Sequence, residues 1–187
     1  TKPGWSAAEE PGLALPPDGR LFVTMRTWEG HIWYSVSDDD GATWRQAEML
    51  RYRDGGDGIE HPFSCCPFYG MNNGRFLLPF HNNLGRRLGH DQLDSDWSTN
   101  HLNFIRNPTF MTVGSFHPDA HQPIWFSEPR KLFDTKDIPA GPKGTAEIAT
   151  YPSMTEWNGK RVLWYPDRKF YLLGKYITDA LVEEMTV

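Results

Sequence analysis

A carboxylate and a guanidinium are spaced in this sequence so that one β-hairpin would bring them together. Glu10 and Arg26 stand on either side of the turn signal Pro16-Pro17-Asp18-Gly19. Two antiparallel strands joined by a tight turn place residues equally far from the turn at the same end of the hairpin. A carboxylate can accept a proton and a guanidinium can hold an anion, so the pair could share one pocket. The alternative is a solvated acidic turn at Glu9 and Glu10 and a surface Arg26.

The composition indicates the kind of scaffold that would position such a pair. Aromatic residues make up 14% of the 187 residues, with 17 glycines and 15 prolines, a mixture of strand and turn formers typical of an all-β chain. The formal net charge of −5 disfavours nucleic acid and anionic membrane surfaces as partners. No apolar run approaches the roughly 18 residues of a membrane span, and the first residues do not resemble a signal peptide, which leaves the compartment open.

One turn has a pattern specific enough to suggest a family. It follows the predicted strand 32–36 and reads Ser-x-Asp-x-Gly-x-Thr-Trp, in which the serine and aspartate can bond backbone N–H groups and the glycine can take a positive φ. The fixed positions are Ser37, Asp39, Gly41, Thr43 and Trp44. This resembles the Asp box of the sialidase (neuraminidase) superfamily. The resemblance implies a β-propeller in which the box closes an outer hairpin, with Trp44 over a small apolar cluster, and does no chemistry.

A repeated hairpin signal indicates how many propeller blades the chain holds. Asp-Gly or Asn-Gly followed by a basic residue and an apolar strand occurs at Gly19, Gly74 and Gly159. We therefore predict an all-β, sialidase-like propeller with about three blades. Their predicted bounds are 8–50, 64–132 and 148–178, with strands at 64–69 and 123–132 in the second blade and a tail at 179–187 that is compatible with a helix. Because a propeller has typically four to eight blades, we expect a six-bladed propeller that is incomplete in this chain, with the N-terminal blades absent from it.

The resemblance also assigns roles to particular residues. The succession Glu10-Pro11, Asp18-Gly19-Arg20-Leu21 and Arg26-Thr27 resembles a family segment and implies that Arg26 binds a substrate carboxylate. Tyr151 resembles the family nucleophile. A phenol with a pKa near 10 is a poor nucleophile at neutral pH without a base, and Glu10 is the expected partner. The alternative for Tyr151 is a buried strand aromatic.

Two further residues are expected at the substrate. Arg106 is the candidate for a second carboxylate-binding arginine, with Arg86 and Arg87 as competitors, and a surface ion pair is the alternative for all three. Asp167 stands where the family usually has a Tyr-Glu brace for an arginine, but Pro166 departs from that pattern.

The predicted function is therefore that of a sialidase-like glycoside hydrolase acting on an anionic glycan. No segment resembling the family's first arginine or acid/base aspartate is present, so we expect an N-terminal propeller half or a partner chain to cover the open sheet edges. Two alternatives stay open: a non-catalytic carbohydrate-binding propeller, and an enzyme acting on uronate-containing polysaccharide through histidine, with His81 and His101 as candidates. The seven histidines show no metal spacing, so no metal or cofactor is expected, and the adjacent Cys65 and Cys66 are expected to be reduced.

Overall fold

The computed structural model describes residues 8–27, 29–82, 106–136, 138 and 147–185. Nearly all regular structure in these ranges is β, which confirms the prediction of an all-β chain. The first antiparallel sheet contains β1 (Ala8–Ala14), β2 (Leu21–Thr27), β3 (Trp33–Ser37) and β4 (Glu48–Met49) in the order of the chain. The described ranges hold no helix with the length and apolar character needed to cross a membrane.

Two more antiparallel sheets follow. The second contains β5 (Tyr69–Gly70), β6 (Phe76–Phe80), β7 (Thr109–Phe116), β8 (Ile124–Phe126) and β9 (Arg130–Phe133), with β8 and β9 both paired to β7. The third contains β10 (Ser153–Trp157), β11 (Lys160–Asp167) and β12 (Tyr171–Tyr176) and precedes the short helix α1 (Asp179–Glu183). Thr178 caps this helix by accepting a hydrogen bond from the backbone N–H of Leu181.

Two predicted strands differ from the observed ones because of proline. The strand predicted at 123–132 is two short strands, β8 and β9, interrupted next to Pro129, which has no N–H to donate to a sheet. The strand predicted at 64–69 is confined to β5. Pro67 precedes that strand, and the carbonyl groups of residues 63–66 are bonded by side chains instead of by a neighbouring strand.

The second sheet is packed between the other two. All five residues of β6 are buried. Phe76, Leu78 and Phe80 join an apolar cluster with the first sheet, whereas Leu77 faces a separate cluster shared with the third sheet and α1. Burial of each such side chain contributes about 1.5–3 kcal/mol. The three sheets are therefore held face to face.

The β1–β2 hairpin has the predicted turn and a bulge that the sequence pattern did not predict. The backbone N–H of Gly19 donates to the carbonyl of Pro16 over 3.1 Å, and Glu9 lies opposite Arg26. Between Glu9 and Gly12 the register shifts, and Glu10 has φ = 50°. A Cβ on Gly12 would lie only 2.9 Å from the Phe68 backbone nitrogen, so the missing side chain lets β1 approach the second sheet.

The segment that resembles an Asp box closes the β3 end through its own side chains. Asp39 accepts hydrogen bonds from the backbone N–H and hydroxyl of Thr43, at 2.8 and 2.6 Å, and the Ser37 hydroxyl accepts from the Gly41 backbone N–H at 2.8 Å. The Thr43 bonds lower the pKa of the Asp39 carboxyl. Trp44 is 44% exposed and belongs to neither buried apolar cluster, so it lies at the rim beside Gly41 instead of closing a core.

His61 is the buried centre of the connecting segment 61–66. Its Nε2 lies 2.9 Å from the Ser64 carbonyl oxygen and 3.2 Å from that of Cys65, and its Nδ1 accepts the backbone N–H of His81 over 3.2 Å. Since carbonyl oxygens only accept, the proton is on Nε2 and the ring is neutral. Burial lowers the pKa of His61 to about 4, although the two carbonyl bonds oppose the change.

We predict that protonation of His61 destabilises the fold at acid pH. Because the pKa of His61 is lower in the folded chain than the roughly 6.5 of an unfolded one, the unfolded state binds more protons as the pH falls from 6.5 towards 4. The free energy of unfolding should be lower at pH 5 than at pH 7, by on the order of 2 kcal/mol from His61 alone. Urea unfolding at the two pH values measures this difference.

Imidazole ¹⁵N NMR of the folded chain tests the cause. The His61 ring should show the Nε2–H tautomer and no titration between pH 8 and pH 5, with the exposed ring of His121 as the internal control signal. A His61 midpoint near 6.5 would contradict the prediction.

Candidate functional site

Two side chains of the first sheet and one from the loop before β10 meet at one end of the β1–β2 hairpin. The Tyr151 hydroxyl donates to Glu10 Oε1 over 2.7 Å, although the two residues are 141 positions apart. Arg26 Nη1 lies 2.9 Å from Glu10 Oε2 and 3.4 Å from the Tyr151 hydroxyl oxygen. Residues predicted at the sequence level to share a pocket are therefore in mutual contact, and the contact joins the first sheet to the residue two positions before β10.

The guanidinium of Arg26 is enclosed. Its other terminal nitrogen, Nη2, donates to Glu9 Oε2 over 2.9 Å, and the ring of Phe63 covers it with the guanidinium carbon 3.9 Å from the ring centroid. Arg26 is 9% exposed. Burial by itself would lower the pKa of Arg26, but the Glu9 hydrogen bond and the Glu10 charge outweigh it and raise the pKa. The sequence pattern indicated Glu9 only as a solvated residue, and no signal in the sequence indicated Phe63 as a contact of Arg26.

Tyr151 presents its side chain to solvent on a strained backbone. It is 53% exposed, with φ = 57°, and Ala149 in the same loop has φ = 53°. Partial burial and the hydrogen bond to Glu10 raise the pKa of Tyr151, against the opposing charge of Arg26. The phenol is therefore protonated at neutral pH, with its proton directed at a carboxylate. The alternative of a buried strand aromatic does not describe this residue.

Arg106 is buried and contacts the backbone of Phe63. Its Nη2 donates to the Phe63 carbonyl oxygen over 3.0 Å and its Nη1 lies 3.8 Å from Glu147 Oε2, with only 5% of the residue exposed. Glu147 also pairs with Lys169 over 2.9 Å. Phe63 thus contacts Arg26 through its ring and Arg106 through its backbone. Glu147 was not predicted as a partner of Arg106, because no local sequence pattern distinguishes it from the other acidic residues of the chain.

The remaining predicted residues either have other partners or lie outside the described ranges. Asp167 binds its neighbour Arg168 through two hydrogen bonds of 2.9 and 3.0 Å. His81 is 1% exposed and stacks on His61, with the ring centroids 5.6 Å apart, and burial lowers its pKa well below the usual value. The competing residues Arg86 and Arg87, and His101, lie outside the described residues.

The two adjacent cysteines were expected to be reduced, and no metal site was expected. Cys65 and Cys66 are both free and buried. Burial raises the pKa of each thiol, so neither is a thiolate at neutral pH. Within the residues that the structure describes, no group of three or more His, Cys, Asp or Glu residues is arranged to hold a metal ion.

Comparison with known proteins gives likeness in structure but not in sequence. No protein-family profile and no curated protein sequence matches the chain. The intramolecular trans-sialidase from Ruminococcus gnavus, in complex with oseltamivir carboxylate, superposes with a TM-score of 0.60 at 18% identity, covering 96% of this chain and 34% of that one. The leech intramolecular trans-sialidase, complexed with 2,7-anhydro-Neu5Ac, superposes with a TM-score of 0.61 at 16% identity, covering 96% and 24%.

An arabinose-releasing enzyme shares the same fold. The GH93 α-L-arabinofuranosidase of Fusarium graminearum, in complex with arabinobiose, superposes with a TM-score of 0.53 at 17% identity, covering 92% of this chain and 46% of that one. The chain thus spans less than half the length of each of these three proteins. At such identities the likeness concerns the fold, and the chain has the sialidase-like β-propeller fold of these glycoside hydrolases, represented by three sheets.

Proposed function

We propose that this chain forms part of the active site of a glycoside hydrolase acting on an anionic glycan. The observation that carries the proposal is the 2.7 Å hydrogen bond from the Tyr151 hydroxyl to Glu10, beside the guanidinium of Arg26. A nucleophile within hydrogen-bond reach of a base, oriented by a third group, is the arrangement that covalent catalysis requires. The propeller fold is shared with glycoside hydrolases, which supports a glycan as the substrate.

The proposed chemistry has two displacements at the anomeric carbon. In the first, the Tyr151 oxygen forms a bond to that carbon while its proton moves to Glu10 Oε1 and the bond to the leaving sugar oxygen breaks. The leaving oxygen takes a proton from a general acid other than these three residues. In the second, water attacks the same carbon and gives up a proton to the conjugate base of that general acid, while the tyrosyl oxygen leaves and regains its proton from Glu10. A neutral phenol approaches an anionic sugar without the charge repulsion that a carboxylate nucleophile would meet.

Substrate charge selection is proposed to rest mainly on Arg26. A guanidinium stays charged and holds a carboxylate through paired hydrogen bonds. Arg106 is only 5% exposed, so the proposal gives it a place behind Phe63, where it adds positive charge. Asp167 holds Arg168 and not a substrate-facing arginine, so it has a supporting position only.

A specific observation favours a second candidate, a carbohydrate-binding propeller without catalysis. Both terminal nitrogens of Arg26 are engaged by carboxylates of the chain itself, Nη1 by Glu10 and Nη2 by Glu9. An ion-paired cluster of this kind could serve binding or structure alone. Turnover separates the two candidates, because a binding module would retain a glycan without hydrolysing it.

We also propose that a further propeller sheet covers the free face of the third sheet. The strand register places Trp164, Leu172 and Tyr176 on one face, and they are 37%, 72% and 64% exposed. The second sheet shows how such faces are covered here, since both of its faces are packed against neighbouring sheets. Exposed apolar patches of this kind mark interaction surfaces, and an N-terminal propeller half or a partner chain would supply the sheet.

Replacing Tyr151 by phenylalanine tests the proposed nucleophile. Y151F removes the hydroxyl and keeps the ring, so kcat on a hydrolysed glycoside should fall at least about 100-fold. The assay is run on the complete propeller, in which this chain is joined by the sheets proposed to complete it, and uses fluorogenic glycosides of sialic acid, a uronic acid and α-L-arabinofuranose. Y171F, at an exposed tyrosine of β12, is the control and should match the wild type. Equal turnover by Y151F and the wild type would contradict the proposal, as would glycan binding without any turnover by the wild type.

Replacing Arg26 by lysine tests the selection for substrate charge. R26K keeps the charge but loses the paired hydrogen bonds, so KM for the anionic glycoside should rise about 10-fold or more. KM for a matched glycoside whose carboxylate is converted to an amide should change much less. R45K, in an exposed pair with Asp38, is the control variant. A uniform loss on both substrates would contradict substrate carboxylate binding by Arg26.

Lysine substitutions test the proposed docking face. The double variant L172K/Y176K should bind less of the apolar dye ANS than the wild type and should show less self-association in size-exclusion chromatography. The control is L15K, at an exposed leucine next to the first sheet. If the double variant and L15K have the same effect, the face is not a distinct apolar surface and the proposal fails.

A further inference from the structure

Tyr151 is held at its backbone as well as at its hydroxyl. Its backbone N–H donates to the Sγ of Cys65 over 2.9 Å, while its hydroxyl donates to Glu10. Cys65 is 8% exposed and its thiol is free. The proposed chemistry does not use this thiol, yet the thiol is in direct contact with the residue that carries the nucleophile.

The loop around Tyr151 needs such an external contact. Tyr151 has φ = 57°, a left-handed conformation that side-chain-bearing residues adopt at a cost of order 1–3 kcal/mol. It also precedes Pro152, and the residue before a proline ordinarily prefers an extended backbone. Without tertiary contacts, the backbone would relax towards that extended form and carry the phenol away from Glu10. Besides Cys65, Tyr69 holds this loop by donating its hydroxyl to the Pro152 carbonyl over 2.6 Å.

The segment that contains Cys65 also contacts Arg26. Phe63, two residues earlier, places its ring 3.9 Å from the guanidinium carbon of Arg26. Between the two contacts, the carbonyl groups of Ser64 and Cys65 are bonded to the buried ring of His61. A short segment bonded at its centre therefore contacts the tyrosine through one residue and the arginine through another.

We infer that Cys65 is a positioning residue for Tyr151, acting through the Tyr151 backbone N–H, and that segment 61–66 sets the separation of Tyr151 from Arg26. The inference rests on the proposed function, because positioning matters for catalysis only if Tyr151 reacts. Burial raises the pKa of the Cys65 thiol, in keeping with a neutral acceptor and not a second nucleophile. Displacement of a reacting group by about 1 Å can cost on the order of 100-fold in rate.

Alanine substitution of the two adjacent cysteines separates positioning from packing. C65A removes the acceptor of the Tyr151 N–H, whereas C66A removes a fully buried thiol one residue away, whose neighbour is Thr24. We expect C65A to lower kcat about 10- to 100-fold with KM within about twofold of the wild type. C66A should lower the melting temperature by about as much as C65A does, and should leave kcat within about twofold of the wild type. C65S restores an oxygen acceptor and should recover most of the lost kcat.

Amide hydrogen exchange supplies a readout that does not depend on activity. The Tyr151 N–H should be protected in the wild type, in C66A and in C65S, and should exchange much faster in C65A. Equal protection of Tyr151 in all four proteins, or equal kcat losses in C65A and C66A, would overturn the inference. If C65A does not fold, an unprotected Tyr151 N–H in the wild type, or a kcat of C65S at least 10-fold below that of C66A with the Tyr151 N–H still protected, decides against it.

The same measurements distinguish failure of the inference from failure of the proposed function. A wild type that hydrolyses none of the three glycosides removes the proposed catalysis. In that case, selective loss of Tyr151 protection in C65A still supports the positioning of the loop by Cys65. Turnover by the wild type with no selective effect of C65A removes the inference and leaves the function standing.

Discussion

The site depends on one nearly buried positive charge. Arg26 is 9% exposed, and a guanidinium taken out of water is stable only if charged or polar partners surround it. Glu9 and Glu10 of β1 supply two carboxylates, Tyr151 supplies an oxygen, and the Phe63 ring covers the remaining face. Because these partners come from three separate parts of the chain, the charge can be accommodated only when the sheets are correctly packed. Formation of the site is therefore coupled to formation of the tertiary structure.

Two of the residues with a strained backbone are candidate catalytic groups. Glu10 and Tyr151 both have positive φ values, 50° and 57°, and their side chains meet each other. A regular strand would direct alternate side chains to opposite faces of its sheet, whereas the bulge at Glu10 lets Glu9 and Glu10 both reach Arg26. Strained backbone persists only where surrounding contacts over-determine it. The bonds to Arg26 and Cys65 are contacts of that kind.

The stacking of sheets explains why residues far apart in sequence converge. The second sheet has two apolar faces, each covered by a neighbouring sheet, so the three sheets follow one another in space as they do in the chain. Segment 61–66 connects the first sheet to the second and runs beside the Tyr151 loop that precedes the third. The first sheet, segment 61–66 and the loop before the third sheet therefore each place side chains at the same end of the β1–β2 hairpin. In this way an all-β scaffold builds a site from distant segments.

What the sequence by itself determined was mostly local. Strand alternation and the Pro16–Gly19 turn were sufficient to place Glu10 and Arg26 at the same end of one hairpin, because hairpin geometry follows from turn type and a period of two. The bulge that sets Glu9 opposite Arg26 was not predictable from them. The hydrogen bonds at Ser37 and Asp39 were predictable for the same reason, since their partners lie within a few residues. The all-β fold followed from repeated turn and strand signals along the chain.

Only the tertiary structure decided which distant groups touch. The bond between Tyr151 and Glu10 was expected from a resemblance and not from spacing, while the pairing of Glu147 with Arg106 and the contact of Cys65 with Tyr151 had no sequence signal. Such contacts depend on how sheets approach one another and on bulges that break the period of two. Side-chain volume and packing between sheets set those distances, and neither is encoded in the order of residues within a single hairpin.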